Sequence, residues 1–301
     1  MNSEYSRSDQ RIGFIGLGAM GEPMAANVVK AGFPLTVFDV RAEPLERLEG
    51  LGATVAHSVG DLAAQSDVVL IAVVDDAQVK TTLIGIDEPG VLDTLAPGST
   101  VVVHSTIHPS TCRTLAALAA ESGVGFLDAP ISGGANGAEA GTLAIMVGGD
   151  EATLAGCHDV LDAMAGHVFH VGSVGMGEVA KITNNVVLAV NLQGTLEGLR
   201  LAKWSGIDEE TMLGILRVSA GESWVVRHWE AIQAMAEAHP QGRDGLARLT
   251  YKDLAFAQAI GHDVGAPLPV TALAAQLVEQ PLVPIGPAPN VGAPPSGKGR
   301  P

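Results

Sequence analysis

Arg11-Ile12-Gly13-Phe14-Ile15-Gly16-Leu17-Gly18-Ala19-Met20-Gly21 is the stretch that decides the fold. A short apolar run, read as a strand over 12–16, passes straight into Gly16-x-Gly18-x-x-Gly21. A helical sequence follows over 19–31 and stops at Gly32. Each glycine meets a separate demand. Gly16 lets the chain turn tightly from strand to helix, Gly18 lets the backbone approach a pyrophosphate, and Gly21 lets the helix pack close to the strand. The phosphates then sit on the unpaired N–H groups and positive end of the new helix. Leu17, Ala19 and Met20 belong to the same candidate cofactor-binding loop. In a chain with 37 glycines the triplet alone is weak evidence, and the strand before it and helix after it supply the context it needs.

Outward from this loop, Pro34 to Asp39 reads as the second strand and completes a βαβ unit. Asp39 closes that strand 18 residues after Gly21. A carboxylate there can accept both ribose hydroxyls of an adenosine and repels a 2′-phosphate, which points to NAD in preference to NADP. The plainer reading of Asp39 is a turn residue, and Arg41 could soften the preference by pairing with a phosphate.

The α/β alternation continues. Helix is expected over 45–51 and 109–120, and from Asp150, as cap, to about Met164. Strands are expected over 53–56, 67–74, 100–103, 126–129, 142–147 and 168–171. The continuous apolar runs among them suit a parallel sheet covered on both faces. The texture changes near Gly172. From Gly175 to about Trp204 there is no strand signal and no proline, which predicts a helix of roughly 45 Å. Segments 208–219, 223–238, 246–261 and 270–279 also read as helix. The expected fold is α/β: a Rossmann-type, mostly parallel, doubly wound sheet over 11–172, followed by an all-helical domain over 173–280. Residues 1–10 form a polar arm. The final 21 residues, 281–301, hold seven prolines and four glycines and read as a disordered tail. Within it Gly292 to Lys298 spells G-x-x-x-x-G-K, but Gly299 stands where Ser or Thr is needed and no helix follows, so no P-loop is expected.

Composition narrows the function classes. The 301 residues are 47% apolar and carry a formal net charge of −16, which argues against nucleic acid or an anionic membrane surface as partner. No run approaches the roughly 20 apolar residues of a membrane span. The polar start leaves no room for a signal peptide, and Cys112 and Cys157 show neither metal-ligand spacing nor a disulfide framework. A cytoplasmic enzyme with reduced thiols and no metal is the expectation.

Several residues could complete a site beside the nucleotide. Ser105 and Thr106 follow a strand on the side of the sheet where ligands bind, or else cap the helix after Pro109. His104 and His108 straddle a strand end and a loop, a poor metal pair. Ser132-Gly133-Gly134 at a strand end exposes several backbone N–H groups, a nest suited to a carboxylate, or forms a simple turn. Lys181 and Asn185 are four apart and share one face of the long helix, with Asn184 beside them. That helix is expected to bury Val179, Ile182, Val186, Val187 and Val190. An ammonium in such surroundings, next to a cationic nicotinamide, would be depressed toward the range of a general acid/base; the plain alternative is a surface lysine.

Gly13 to Asn27 (GFIGLGAMGEPMAAN), Asp128-Ala-Pro-Ile-Ser-Gly-Gly134, Gly141 to Gly149 (GTLAIMVGG), Gly175 to Asn185 (GMGEVAKITNN) and Lys252-Asp-Leu254 occur in order. In these motifs the chain resembles the β-hydroxyacid dehydrogenase family, typified by 3-hydroxyisobutyrate dehydrogenase and tartronate semialdehyde reductase, over about residues 11–279. The resemblance implies an NAD-dependent oxidoreductase that interconverts a small 3-hydroxy acid and its semialdehyde. It assigns Lys181 as general acid/base, Asn185 as the residue holding substrate and lysine, and Ser132, Gly133 and Gly134 as the carboxylate grip. Ser105 or Thr106 and Lys252 would contact the nicotinamide side of the cofactor, and Asp39 the adenine ribose. A homodimer or tetramer built on the C-terminal helices is implied as well. The family continues past Leu277-Val278 with a Gly-rich turn and a further helix, and this chain has the proline tail instead. Trp224 and Trp229 put large aromatics where the family's substrate contacts lie; they are core, or they enlarge the pocket. The rival readings are an NADPH-dependent imine reductase-like enzyme, which generally lacks this lysine, and a non-catalytic dinucleotide-binding scaffold.

Overall fold

The computed structural model describes residues 9–238 and 242–278. Nearly all of the polar arm, all of the 281–301 tail and its G-x-x-x-x-G-K stretch lie outside the described residues. The chain divides into two compact units, Met1–Ile182 and Thr183–Pro301.

The first unit runs β1 (Ile12–Ile15), α1 (Gly21–Lys30), β2 (Leu35–Phe38), α2 (Ala42–Glu49), β3 (Thr54–Val55), α3 (Val59–Ala64), β4 (Val68–Ile71), α4 (Asp76–Ile84) and α5 (Val91–Thr94). It continues with β5 (Thr100–Val103), α6 (Pro109–Glu121), β6 (Gly125–Asp128), β7 (Ile131–Ser132), α7 (Gly134–Ala140), β8 (Leu143–Gly148), α8 (Glu151–Asp162) and β9 (Ala165–Gly172). The sheet order is β3-β2-β1-β4-β5-β6-β8-β7, with β9 beside β8. Strands β3 to β6 along this order are parallel; β8 is antiparallel to β6 and β7 and parallel to β9. The expected mostly parallel sheet is therefore found.

Burial explains why these runs form its centre. Val68 to Ile71 are all at most 2% exposed, because helices cover both faces. One face packs Phe14, Val37, Leu70, Val102 and Leu127 against Met24, Val28 and Leu48 of the α1–α2 side and Leu154, Val160 and Leu161 of α8. The other packs Ile15, Val69, Ile71, Val101 and Val103 against Leu62, Val79, Leu83, Cys112 and Leu115. Fully burying each such aliphatic side chain is worth about 1.5–3 kcal/mol.

The strand order reverses at β1, which is flanked by β2 and β4. Register places Phe38, Ile15, Ile71, Val103 and Asp128 in one row, so the residues after them line one edge of the sheet. A ligand is expected outside the carboxyl ends of the strands at such a switch point.

Helix α9 (Met176–Trp204) begins in the first unit and runs into the second. The second unit then holds α10 (Glu209–Arg217), α11 (Trp224–Arg227), α12 (Trp229–Ala238), α13 (Gly242–Val264) and α14 (Pro269–Val278). Leu199, Leu213, Val225, Val226, Trp229 and Ile232 form one of its cores, and Ala189, Leu254, Ala274, Ala275 and Val278 another. The expected single helix over 223–238 is broken at His228, whose ring stacks on Trp224 with centroids 4.2 Å apart. Among the described residues no helix is long and apolar enough to cross a membrane.

Candidate active site

Gly16, directly after β1, has φ +92, and a Cβ there would stand 2.5 Å from the Ala72 carbonyl oxygen after β4. Only glycine turns here without strain. A Cβ on Gly21 would collide with the Gly16 carbonyl oxygen, while one on Gly18 would meet nothing within 4 Å. That open space is where a pyrophosphate would approach. Met20, at the N-cap of α1, makes no side-chain cap; within the first turn the Glu22 N–H donates to the Gly18 carbonyl at 3.1 Å and Pro23 has no N–H, so an anion here would draw on the N–H groups of the glycine loop itself. These features fit a dinucleotide.

Asp39 follows β2, on the same edge of the sheet. Its Oδ2 accepts from the Leu17 N–H at 2.6 Å, and its Oδ1 accepts from the Arg41 N–H and Nε, each at 2.9 Å. Arg41 Nη2 also donates to Asp39 Oδ2 at 3.1 Å and to the Leu17 carbonyl at 2.9 Å. Burial works to raise the Asp39 carboxyl, but the bonds from Arg41 and Leu17 outweigh it and hold it below its ordinary value. Four donors fill the roughly four acceptor positions of a carboxylate. Asp39, expected as the ribose acceptor, thus stands after β2 with its carboxylate covered, and Arg41, which supplies most of the cover, is 54% exposed.

Two further strand ends contribute. Ser105 is buried, and its Oγ accepts from the Val73 N–H at 2.9 Å, tying the ends of β4 and β5 together. It does not cap α6; His108 does, through Nδ1 to the Ser110 N–H. Thr106, beside it, is half-buried. His104 is buried with Nδ1 2.7 Å from the Ala129 carbonyl, and burial lowers its pKa to about 4. After β6, Ser132 pairs with Ala144 across β7 and β8. Gly133 and Gly134 follow with φ +136 and +67, and a Cβ on Gly134 would meet nothing within 4 Å. The expected nest is a sharp turn at the start of α7 with open space beside it.

Lys181 and Asn185 lie one turn apart on α9, both half-buried. Asn185 Nδ2 donates to Asp253 Oδ2 at 2.6 Å, and Asn184 Nδ2 to Asn185 Oδ1 at 3.1 Å. Lys252 Nζ is 3.6 Å from Asp253 Oδ1 and sits over the Phe256 ring. Asp253 is the residue that sequence reasoning missed, although it stands inside the quoted Lys252-Asp-Leu254 motif. Val187, expected to be buried, is 55% exposed. Trp229 is core, with Nε1 donating to Glu209, whereas Trp224 is 43% exposed.

Two family models match the chain. One, described as the NAD binding domain of 6-phosphogluconate dehydrogenase, covers residues 11–172. The other, described as the NAD-binding of NADP-dependent 3-hydroxyisobutyrate dehydrogenase, covers 175–286. The NAD-dependent L-serine dehydrogenase of Pseudomonas aeruginosa is 38% identical over 272 residues, spanning 89% of this chain and 91% of that protein. The chain belongs to the β-hydroxyacid dehydrogenase family. Another member, the 2-(hydroxymethyl)glutarate dehydrogenase of Eubacterium barkeri, is 38% identical over 273 residues, 89% of this chain and 88% of its own length. The solved 3-hydroxyisobutyrate dehydrogenase of Mycobacterium tuberculosis with L-serine superposes with a TM-score of 0.75 at 32% identity, covering 89% of this chain and 92% of that one. As a β-hydroxyacid dehydrogenase, the chain is an NAD(P)-binding oxidoreductase acting on CH–OH groups, and it interconverts a hydroxy acid and its semialdehyde.

Proposed function

We propose that the protein oxidises the primary alcohol of a small 3-hydroxy acid, or reduces the semialdehyde, with NAD preferred over NADP and Lys181 moving the proton. The observation that carries this reading is Asn185 held by Asp253 at 2.6 Å, one helical turn beyond Lys181. A bound nicotinamide supplies the hydride acceptor or donor at its C4. Lys181 Nζ takes the alcohol proton on oxidation and returns it to the carbonyl oxygen on reduction. Such general acid–base work is worth about 10²–10⁴ in rate. Asn185 orients the substrate and the lysine. The Ser132 hydroxyl and the N–H groups of Gly133 and Gly134 receive the substrate carboxylate, and the positive φ of both glycines supports that opening. Ser105 or Thr106 and Lys252 meet the nicotinamide side.

The substrate class follows from a shared chemistry. L-serine and 2-(hydroxymethyl)glutarate, named in two relatives, and 3-hydroxyisobutyrate, named in a third, each carry a CH₂OH on the carbon next to a carboxylate. Preference for NAD rests on Asp39, which repels a 2′-phosphate; once displaced, Arg41 is the group that would tolerate one. The protein acts in the cytoplasm as a homodimer or tetramer.

A panel of 2- and 3-hydroxy acids with NAD and NADP, read as kcat/KM for wild type and Asp39→Ala, tests the reading. We expect the highest value for a 3-hydroxy acid with NAD, and an Asp39→Ala variant whose NAD/NADP ratio falls by roughly tenfold or more, about 1.4 kcal/mol. Turnover confined to 2-hydroxy acids, or an unchanged ratio, would contradict it.

A further inference from the structure

Asp128 ends β6 at the head of the Asp128-to-Gly134 motif, and it is completely buried. Its carboxylate reaches forward in sequence to the start of α9. Oδ1 accepts from the Gly175 N–H at 2.7 Å and Oδ2 from the Glu178 N–H at 3.0 Å, residues 47 and 50 positions away. The first N–H groups of a helix have no intrahelical partner. Gly175, directly before α9, has no side chain with which to cap them locally. Asp128 supplies the cap from a neighbouring strand.

The surroundings are shaped for this carboxylate. A Cβ on Gly148 of β8 would stand 2.6 and 2.7 Å from its two oxygens, and one on Gly177 would stand 2.8 Å from Oδ2 and 2.6 Å from the Asp128 carbonyl oxygen. Gly175 has φ +91, and a Cβ there would be 2.9 Å from Arg113 Nη1. A side chain at Gly148 or Gly177 would push Asp128 and the helix start apart. The titratable groups around the cluster are Glu178, buried in the first turn of α9, Arg113 of α6 and Asp76 at the start of α4, and the Cys112 thiol of α6 is pushed up by burial and by Glu178, Asp128 and Asp76.

We propose that Asp128 is a positioning residue of the active site: as a remote cap it fixes the register at which α9 presents Lys181. This rests on the reading of Lys181 as the proton-transfer group. Lys181 stands three residues, about 4.5 Å of helix rise, beyond Glu178, whose N–H Asp128 holds. A helix start that shifts by an ångström carries the lysine with it, and misplacement on that scale costs up to about 10²-fold in rate. Charge-assisted bonds from both N–H groups favour the ionised carboxylate, yet burial raises its pKa to about 6. Below that pH one oxygen carries a proton and the bond it accepts weakens, while the other oxygen still accepts.

A double-mutant cycle tests the proposal. Asp128→Asn keeps the shape but sets an amide NH₂ against one of the two N–H groups. We expect kcat to fall roughly ten- to a hundredfold, with the NADH dissociation constant and the KM within about twofold of wild type and the acid limb of the kcat–pH profile displaced. In a Lys181→Ala background the same substitution should change kcat by less than about twofold, because it acts through the lysine. Gly148→Ala, which displaces the carboxylate without removing its charge, should reproduce the kcat loss and serves if Asp128→Asn does not fold. Equal losses in both backgrounds, or loss of NADH binding in step with kcat, would mark Asp128 as merely structural and overturn the proposal. So would unchanged kcat in both variants. Retained turnover in Lys181→Ala alone would instead remove the lysine reading.

Discussion

His104 follows β5 with its imidazole buried, which favours the neutral ring, while its Nδ1 on the Ala129 carbonyl opposes this to a lesser degree. Burial holds its folded pKa near about 4, below the ordinary histidine value of 6.5, so the unfolded chain binds more protons between those two values. Above about 6.5 both states are neutral; as pH falls toward 4 the folded state loses stability on the order of 3 kcal/mol relative to a residue that does not titrate. Asp128 runs the opposite way: its raised pKa makes the folded state the better proton binder between the ordinary carboxyl range and about 6. His104→Asn keeps a donor toward Ala129. Urea unfolding from pH 8 to 4.5 should show the variant gaining on wild type as pH falls, and parallel curves would contradict this. Single residues differ in how legible they are. Asp39 is legible because its spacing from Gly21 is set by one βαβ unit. Its cover by Arg41 is not, since side-chain rotation decides it. Asp128 and Asp253 meet their partners only through tertiary folding, across 47 to 68 positions.

At the scale of elements, the sheet is readable because Val68–Ile71 and Val101–Val103 are short uninterrupted apolar runs rich in β-branched residues, as strands covered on both faces require. The short helices are not. α3, α4 and α5 are capped by Ser58, Asp75 and Gly90 and are too short or too weakly periodic to betray themselves in sequence. α7 carries Gly137 in its interior, which costs about 1 kcal/mol relative to alanine, and Gly137 and Ala138 are its buried residues. The glycine loop leading into α1 allows a sharp test. Gly21→Ala puts a Cβ against the Gly16 carbonyl oxygen and must move α1 away from β1. NADH affinity should fall by at least about tenfold, roughly 1.4 kcal/mol, and fluorescence titration measures it; wild-type affinity would show that the loop does not set the cofactor.

For the whole molecule, Gly16 and Asp39 stand one residue beyond a common row of strand ends and Ser105 two residues beyond it, and Lys181 lies on the long helix α9. The net charge of −16 leaves the recognition of an anionic substrate to local N–H groups and lysines. If Lys181 moves the proton, binding and chemistry must separate cleanly on its removal. The most direct measurement is kcat and the NADH dissociation constant of Lys181→Ala beside wild type, with a 3-hydroxy acid that wild type turns over. The expected result is a fall in kcat of about 10²–10⁴ with NADH affinity unchanged within about twofold. Undiminished kcat would contradict the account.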